Sequence, residues 1–355
     1  MKTITPSSPN QASALAKAGM IAAGSCGQSR TGDDLNRGLR TEEAVLRVQG
    51  MGSFRRRIRR RGVPKIAVVA HTGKSLGGGL GELREVLARE GVADPLWYEV
   101  KKSRKAPKCA RKALARGAEM IFVWGGDGTV QRCIDAVAGT AAVLAILPAG
   151  TANLLASNLQ IPASLAEAVR AGLKGERRRF DTGSVNGEHF AVMAGAGFDA
   201  RMIQEAGKGR KERFGRAAYL FAGARNLNAR RARAIVEVDG SRFYKGRVSC
   251  VLVGNVAKVL GGIEVFRGAQ PDDGLLEIGL VTAKNPAEWA RVLGRVTQGR
   301  AGESPFIEVT RGERFRIRFD RSMPYELDGG ARGTVKELRI KVHPGSIKLC
   351  LPAQT

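Results

Sequence analysis

From Lys65 onward, short apolar runs alternate with stretches whose apolar positions recur at helical spacing. Ile66–Ala70, Leu96–Val100, Met120–Trp124 and Val143–Leu147 read as buried strands. Gly79–Glu90, Ala106–Arg116, Thr129–Ala138 and Ser164–Gly172 read as the helices between and after them. A repeating strand–helix order predicts a parallel sheet with helices on its faces, and ligands bind beyond the carboxyl ends of such strands. After about Arg179 the alternation stops and strand-like runs dominate: Phe190–Ala194, Ala234–Val238, Gly246–Val253, Leu275–Val281, Phe315–Phe319, Lys336–Val342 and Ser346–Leu351. Helices interrupt them only around Phe214–Asn228 and Pro286–Gln298. The predicted fold class is therefore α/β: an N-terminal parallel-sheet nucleotide-binding domain over residues 63–179, followed by a mainly antiparallel β-sandwich domain over 180–355. Residues 1–62 follow neither pattern. They are rich in Ser, Gly, Ala and Asn and end in Phe54-Arg55-Arg56-Arg57-Ile58-Arg59-Arg60-Arg61, whose arginines repel one another too strongly to pack, so a disordered basic arm is expected there.

Composition narrows the function classes. A chain of 355 residues needs more than one ordinary core, and 43% hydrophobic with 26% charged residues excludes wholesale disorder. The longest clean apolar run, Ala141–Ala149, is far short of the ~20 residues that span a bilayer, so a soluble or peripheral protein is expected. Cys26, Cys109, Cys133, Cys250 and Cys350 lack the paired spacing of a zinc site or redox dithiol, which suggests reduced thiols in a cytoplasm. His71, His189 and His343 show no recurrent pairing, leaving a histidine-based hydrolase little to work with; phosphoryl transfer depends on positioning and charge and stays open.

Charge adds a partner class. The net +26 attracts polyanions, either anionic membrane or nucleic acid. Eight Lys or Arg and no acid lie between Lys101 and Arg116. A second cluster, Lys208, Arg210, Lys211, Arg213 and Arg216, surrounds and precedes Phe214, Tyr219, Leu220 and Phe221, a composition suited to a headgroup layer or, equally, to a helix with its aromatics in the core. Nucleic acid ranks behind membrane, because aromatics are only 5% and no basic–aromatic alternation is present for base stacking.

Candidate chemistry follows the strands. Met120–Trp124 runs into Gly125-Gly126-Asp127-Gly128-Thr129 and then a helix. This is either a phosphate cradle, with Asp127 facing a bridging Mg²⁺, or a glycine turn in which Asp127 caps a helix. Val143–Leu147 runs into Pro148-Ala149-Gly150-Thr151-Ala152-Asn153 at the same sheet edge. Ala70-His71-Thr72-Gly73-Lys74-Ser75 is not a P-loop, because Val68 stands where the pattern needs glycine, although Lys74 remains within reach of a phosphate.

The paired turns, Val123–Thr129 and Leu147–Asn153, resemble the diacylglycerol kinase catalytic-domain family, which includes bacterial lipid kinases and sphingosine kinases. The resemblance continues through Gly195-Ala196-Gly197-Phe198-Asp199-Ala200, Gly254-Asn255, Pro271-Asp272-Asp273-Gly274-Leu275-Leu276-Glu277-Ile278 and Leu327-Asp328-Gly329, covering roughly residues 65 to 352. It implies an ATP-dependent lipid kinase working in a cleft between its domains at the cytoplasmic face of the membrane, with ATP and Mg²⁺ as cofactors. By position it also implies that Gly125, Gly126, Asp127, Gly128, Thr129, Gly150, Thr151 and Asn153 bind nucleotide; Gly73 and Lys74 of the first turn join them as candidates read from the residues alone. Asp328 would be the base, assisted by Asp127, and Asp127, Asp272 and Asp273 would be metal ligands. Three departures stand out: Gly330 replaces the glutamate of the family's Asp-Gly-Glu, leaving Glu326 or Glu337 as substitutes; Leu154 replaces a frequent aspartate; and Ala70–Gly73 replaces an Asn-Pro turn. The related NAD-directed kinases share the first turn, but their Asn-Glu pair has no counterpart in Ala152–Leu155.

Overall fold

The structure, a computed structural model, describes residues 64–74, 77–197, 231–259 and 263–353. The basic arm, the second basic cluster and the helix expected over Phe214–Asn228 lie outside these residues. The first lobe carries strands β1 (Ile66–His71), β2 (Leu96–Val100), β3 (Met120–Gly125) and β4 (Val143–Pro148), parallel in the order β2-β1-β3-β4. Strands covered on both faces need no polar alternation, which is why β1, β3 and β4 are continuous apolar runs. Helices α1 (Gly79–Arg89), α2 (Ala106–Ala115), α3 (Asp127–Val137), α4 (Leu154–Asn158) and α5 (Leu165–Lys174) complete this lobe and share its core with the strands.

The second lobe is antiparallel. Strands β5 (Glu176–Val185), β6 (Glu188–Phe190), β7 (Met193–Ala196), β8 (Ala232–Val238), β9 (Ser241–Val248) and β10 (Cys250–Gly254) precede the short hairpin β11 (Lys258–Val259) and β12 (Ile263–Glu264). Then follow β13 (Leu276–Val281), helix α6 (Pro286–Thr297), β14 (Ile307–Gly312), β15 (Arg314–Leu327) and β16 (Gly330–Leu351). β15 pairs β8 along its first half and β7 along its last residues, so it passes between the two layers at the irregularity between Arg318 and Met323. Phe190, Val236, Leu276, Ile278, Phe315, Ile317 and Leu338 fill the space between the layers.

The last strand joins the lobes. β16 starts at Gly330 against β15, runs along β5, is irregular between His343 and Ile347, and ends with Lys348 and Leu349 paired in parallel to Val143 and Leu144 of β4. The two runs expected at Lys336–Val342 and Ser346–Leu351 are thus one bulged strand. The expected strand Phe190–Ala194 is instead two, broken at Ala191 and Val192 because their N–H groups bind a side chain. Among the described residues no helix is long and apolar enough to cross a membrane.

Candidate active site

The turns after β1, β3 and β4 meet at the carboxyl edge of the parallel sheet. A Cβ on Gly126 would lie 3.1 Å from the Gly150 Cα and 3.8 Å from the Lys74 Cε, so all three turns touch at this point. A Cβ on Gly150 would stand 2.6 Å from the Asn153 Oδ1 and would overlap the Gly126 Cα. These two glycines make room for each other's backbone. Gly125 is equally constrained, by the Thr129 side chain. Gly128 alone of the first turn faces open space, with the Ser103 Oγ at 4.0 Å the nearest atom to a Cβ placed there.

Side chains brace these turns. Asn153, in the left-handed region at φ 46°, accepts the Gly150 N–H at 2.8 Å and donates to the Gly150 carbonyl at 3.0 Å. Asp127 accepts the Leu154 N–H at the start of α4, and so caps the helix of the neighbouring turn; its own helix is preceded by Gly126. Burial raises the proton affinity of Asp127, opposed by the N–H groups of Leu154, Asn153 and Leu155. Thr129 is buried with its hydroxyl 2.9 Å from the Ser103 Oγ. Gly73 and Thr151 are exposed at the rim. Beside Ser103 opens a cavity of about 300 Å³ lined by Glu99, Val100, Lys101, Lys102, Arg104 and Lys105.

From the other lobe comes Asp328. Leu327 pairs Gly330 across a two-residue turn, Asp328-Gly329, in which both residues have positive φ (46° and 76°), the hairpin geometry that favours Asp-Gly. The Asp328 carboxylate is 4% exposed and accepts three backbone N–H groups: Ala191 at 2.9 Å, Val192 at 2.9 Å and Met193 at 2.8 Å. The carbonyl side of the same segment is held by Asn255, whose N–H binds Val192 and whose amide donates to Ala191 and Asp181. Burial pushes the Asp328 carboxyl up to about 6; the three N–H groups oppose this, and the nearby Asp127 charge adds to it.

The lobes are tied beside this site by residues that pattern alone gave no reason to select. Arg332 donates to both oxygens of Glu188 at 2.9 Å and to the Gln131 Oε1 at 2.8 Å, joining β16, β6 and α3. Of the two candidate substitutes for residue 330, Glu326 is fully buried within range of the Asp328 charge, whereas Glu337 lies on the surface with Arg316 and Arg339.

The carboxylates suggested for metal hold protein groups. Asp272 pairs with Arg178 at 2.8 Å, Asp273 accepts the Leu275 N–H at 3.0 Å, and Asp127 is engaged by α4. The acidic turn itself is anchored by buried Asp181, which accepts the N–H groups of Gly274 at 2.7 Å and Gly345 at 2.6 Å. Among the described residues no three His, Cys, Asp or Glu side chains converge on a point that would hold a metal ion. This donor set does not fit a Mg²⁺ held by the protein alone.

Known proteins match the same two lobes. Residues 70–185 match the diacylglycerol kinase catalytic domain, and residues 192–351 match the YegS C-terminal NAD kinase beta sandwich-like domain. "Probable lipid kinase YegS-like" of Pseudomonas savastanoi pv. phaseolicola is 32% identical over 253 residues, 70% of this chain and 81% of that protein. This chain belongs to the diacylglycerol kinase catalytic-domain family. A Bacillus subtilis relative named "Diacylglycerol kinase" is 28% identical over 229 residues, 63% of this chain and 75% of its own length. In fold, a crystal structure of a diacylglycerol kinase from Bacillus anthracis superposes with a TM-score of 0.63 at 20% identity, covering 81% of this chain and 96% of its own.

Proposed function

We propose that the protein is an ATP-dependent lipid kinase that transfers the γ-phosphoryl group to the hydroxyl of diacylglycerol or a related lipid alcohol. The observation that carries this reading is a buried carboxylate, Asp328, oriented by three backbone N–H groups on a hairpin whose Arg332 binds Gln131 of α3, the helix that starts in the first glycine turn. Triphosphate lies over the rim formed by Gly128, Thr151 and the start of α3, with Lys74 and the side chains of Lys101 and Lys102 supplying positive charge. Magnesium arrives with ATP as part of the substrate. Asp328 takes the proton of the lipid hydroxyl, the alkoxide oxygen forms a bond to Pγ, and the bond from Pγ to the bridging oxygen breaks, leaving ADP and the phosphorylated lipid. Asp127 holds the two glycine turns in register by accepting the Leu154 N–H of the second.

The acceptor is delivered at a membrane surface. Exposed Arg104, Lys105, Lys108, Arg111, Lys112 and Arg116 form a basic face beside the site, and at ~1 kcal/mol per residue near anionic lipid a few of them localise the protein reversibly to the inner leaflet. The test is incubation of the purified chain with γ-labelled ATP, Mg²⁺ and a panel of diacylglycerol, sphingoid and glycolipid acceptors. Label in one lipid class, lost in Asp328→Asn while ATP binding persists, is expected. Absence of label in every lipid, or full turnover by Asp328→Asn, would refute the assignment.

A further inference from the structure

We propose that Glu326 supplies the second carboxyl group missing at Gly330, and that it shares a single proton with Asp328 so that only Asp328 is ionised in the working enzyme. The proposal rests on the kinase reading for its purpose and on the geometry of the hairpin for its substance.

Glu326 is 0% exposed, and among the described residues neither of its carboxylate oxygens has a hydrogen-bond donor. An ionised carboxylate in that setting is costly, whereas a protonated one is tolerated. It lies at the end of β15, two residues before Asp328, which occupies the turn that follows the strand. Across from it, β7 presents Ala194, Gly195 and Ala196 and β16 presents Ala331, none of them titratable. The charges that act on it are Asp328 and Arg332, with Asp127 acting on Asp328 from α3.

At position 330 the Arg332 guanidinium stands where a side chain would begin. A Cβ there would lie 2.7 Å from the Arg332 Nη1, which instead donates to the Gly330 carbonyl at 2.9 Å. The rest of the Arg332 guanidinium is bound to Glu188 and Gln131 and makes no hydrogen bond to Glu326. Asp328 and Glu326 are therefore unequal: three N–H donors stabilise the charge of one and none stabilises the other. Burial and the Asp328 charge push Glu326 up to about 8, with Arg332 opposing, while Asp328 stands at about 6. With the Asp328 charge acting on Glu326, the two titrate as a pair, and between the two steps the pair holds one proton. Glu326 is then a positioning residue: neutral, it leaves Asp328 free to accept a proton; ionised, it places a second negative charge beside the incoming triphosphate.

Infrared difference spectroscopy of the full chain in D₂O, titrated from pH 5 to 9, reads the pair without any turnover. A protonated-carboxyl band that persists at neutral pH, is lost near pH 8 and is missing from Glu326→Gln is expected. In Asp328→Asn, with the neighbouring charge gone, the band should titrate at least about one pH unit lower. In lipid phosphorylation, Glu326→Gln should remove the alkaline fall of kcat/KM and leave its acid limb in place, because Glu326 is already neutral where Asp328 titrates. No protonated carboxyl at neutral pH in the wild-type chain, a band unmoved in Asp328→Asn, or a Glu326→Gln profile that superimposes on the wild type would overturn the proposal. Failure to phosphorylate any lipid would remove the kinase reading and leave the infrared titration to decide the shared proton.

Discussion

Adding one methyl group at Gly150 or at Gly128 separates two reasons for a glycine. At Gly150 a Cβ would stand 2.6 Å from the Asn153 Oδ1 and would overlap the backbone of Gly126, against an ordinary contact of 3.4 Å or more. Relief requires the turn after β4 to move by about 1 Å from the turn after β3, since carbon contacts become comfortable only near 3.5–4.0 Å. That movement is opposed by the Asp127 bond to Leu154, the bond from the Ala149 N–H to the Gly125 carbonyl, and the Asn153 clip on Gly150. Gly150→Ala should therefore cost about 2–3 kcal/mol in stability, the usual cost of overpacking, and about 100-fold in kcat/KM for ATP, the usual cost of a displacement near 1 Å. At Gly128 the methyl group meets nothing closer than 4.0 Å, and the position lies in the first turn of α3. Gly128→Ala should leave stability unchanged or raise it by up to about 1 kcal/mol, yet weaken ATP binding if the open space it fills is the proposed phosphate position. Urea denaturation and ATP calorimetry on both variants provide the assay. Loss of stability in Gly128→Ala, or unaltered stability in Gly150→Ala, would refute the division of the turn into a packed half and an open half.

Three further outcomes follow from the buried polar network. Asn255→Ala removes two donors from the Asp181 and Ala191 carbonyls, and should cost about 2–4 kcal/mol in chemical denaturation and reduce kcat more than it raises KM, since the same segment orients Asp328. Arg332→Met leaves Gln131 without its guanidinium partner and Glu188 with Arg132 at 3.3 Å and the Gln131 amide at 3.4 Å; a loss of about 2–4 kcal/mol is expected, with proteolysis checking whether the lobes separate. Stability should also depend on pH through Glu326. Because its folded value of about 8 lies above the ordinary 4.5, the native state keeps a proton that the unfolded chain releases. Its contribution is therefore greatest below pH 4.5 and declines as pH rises to about 8, by at most roughly 5 kcal/mol over the window. Glu326→Gln should accordingly gain stability relative to wild type as pH rises from 5 to 8 in paired urea titrations, and parallel curves would contradict this.

The first lobe was legible because its central strands are buried on both faces, so each appears as an uninterrupted apolar run closed by a glycine turn. The second lobe was less so, for a reason visible at particular positions. In β5 the inward residues include Asp181, Thr182 and Ser184, polar groups satisfied inside the protein by Gly274 and Gly345, by His189 and Ser346, and by His343. A run such as Glu176-Arg177-Arg178-Arg179-Phe180-Asp181 therefore carries no strand period, although it pairs with β16 along most of its length. At the site, the meeting of the two glycine turns followed from strand order, but the partner of each glycine did not, because Gly126 and Gly150 are matched across β3 and β4 and not along the chain. Ala191 and Val192 make the same point from the other lobe. Their apolar side chains continue a strand pattern, but their N–H groups turn toward Asp328, and one carboxylate 136 residues from Val192 decides the local backbone. Buried charge satisfied by backbone at long range leaves no mark in a periodicity, and it is this feature that sets the candidate base apart from an ordinary hairpin aspartate.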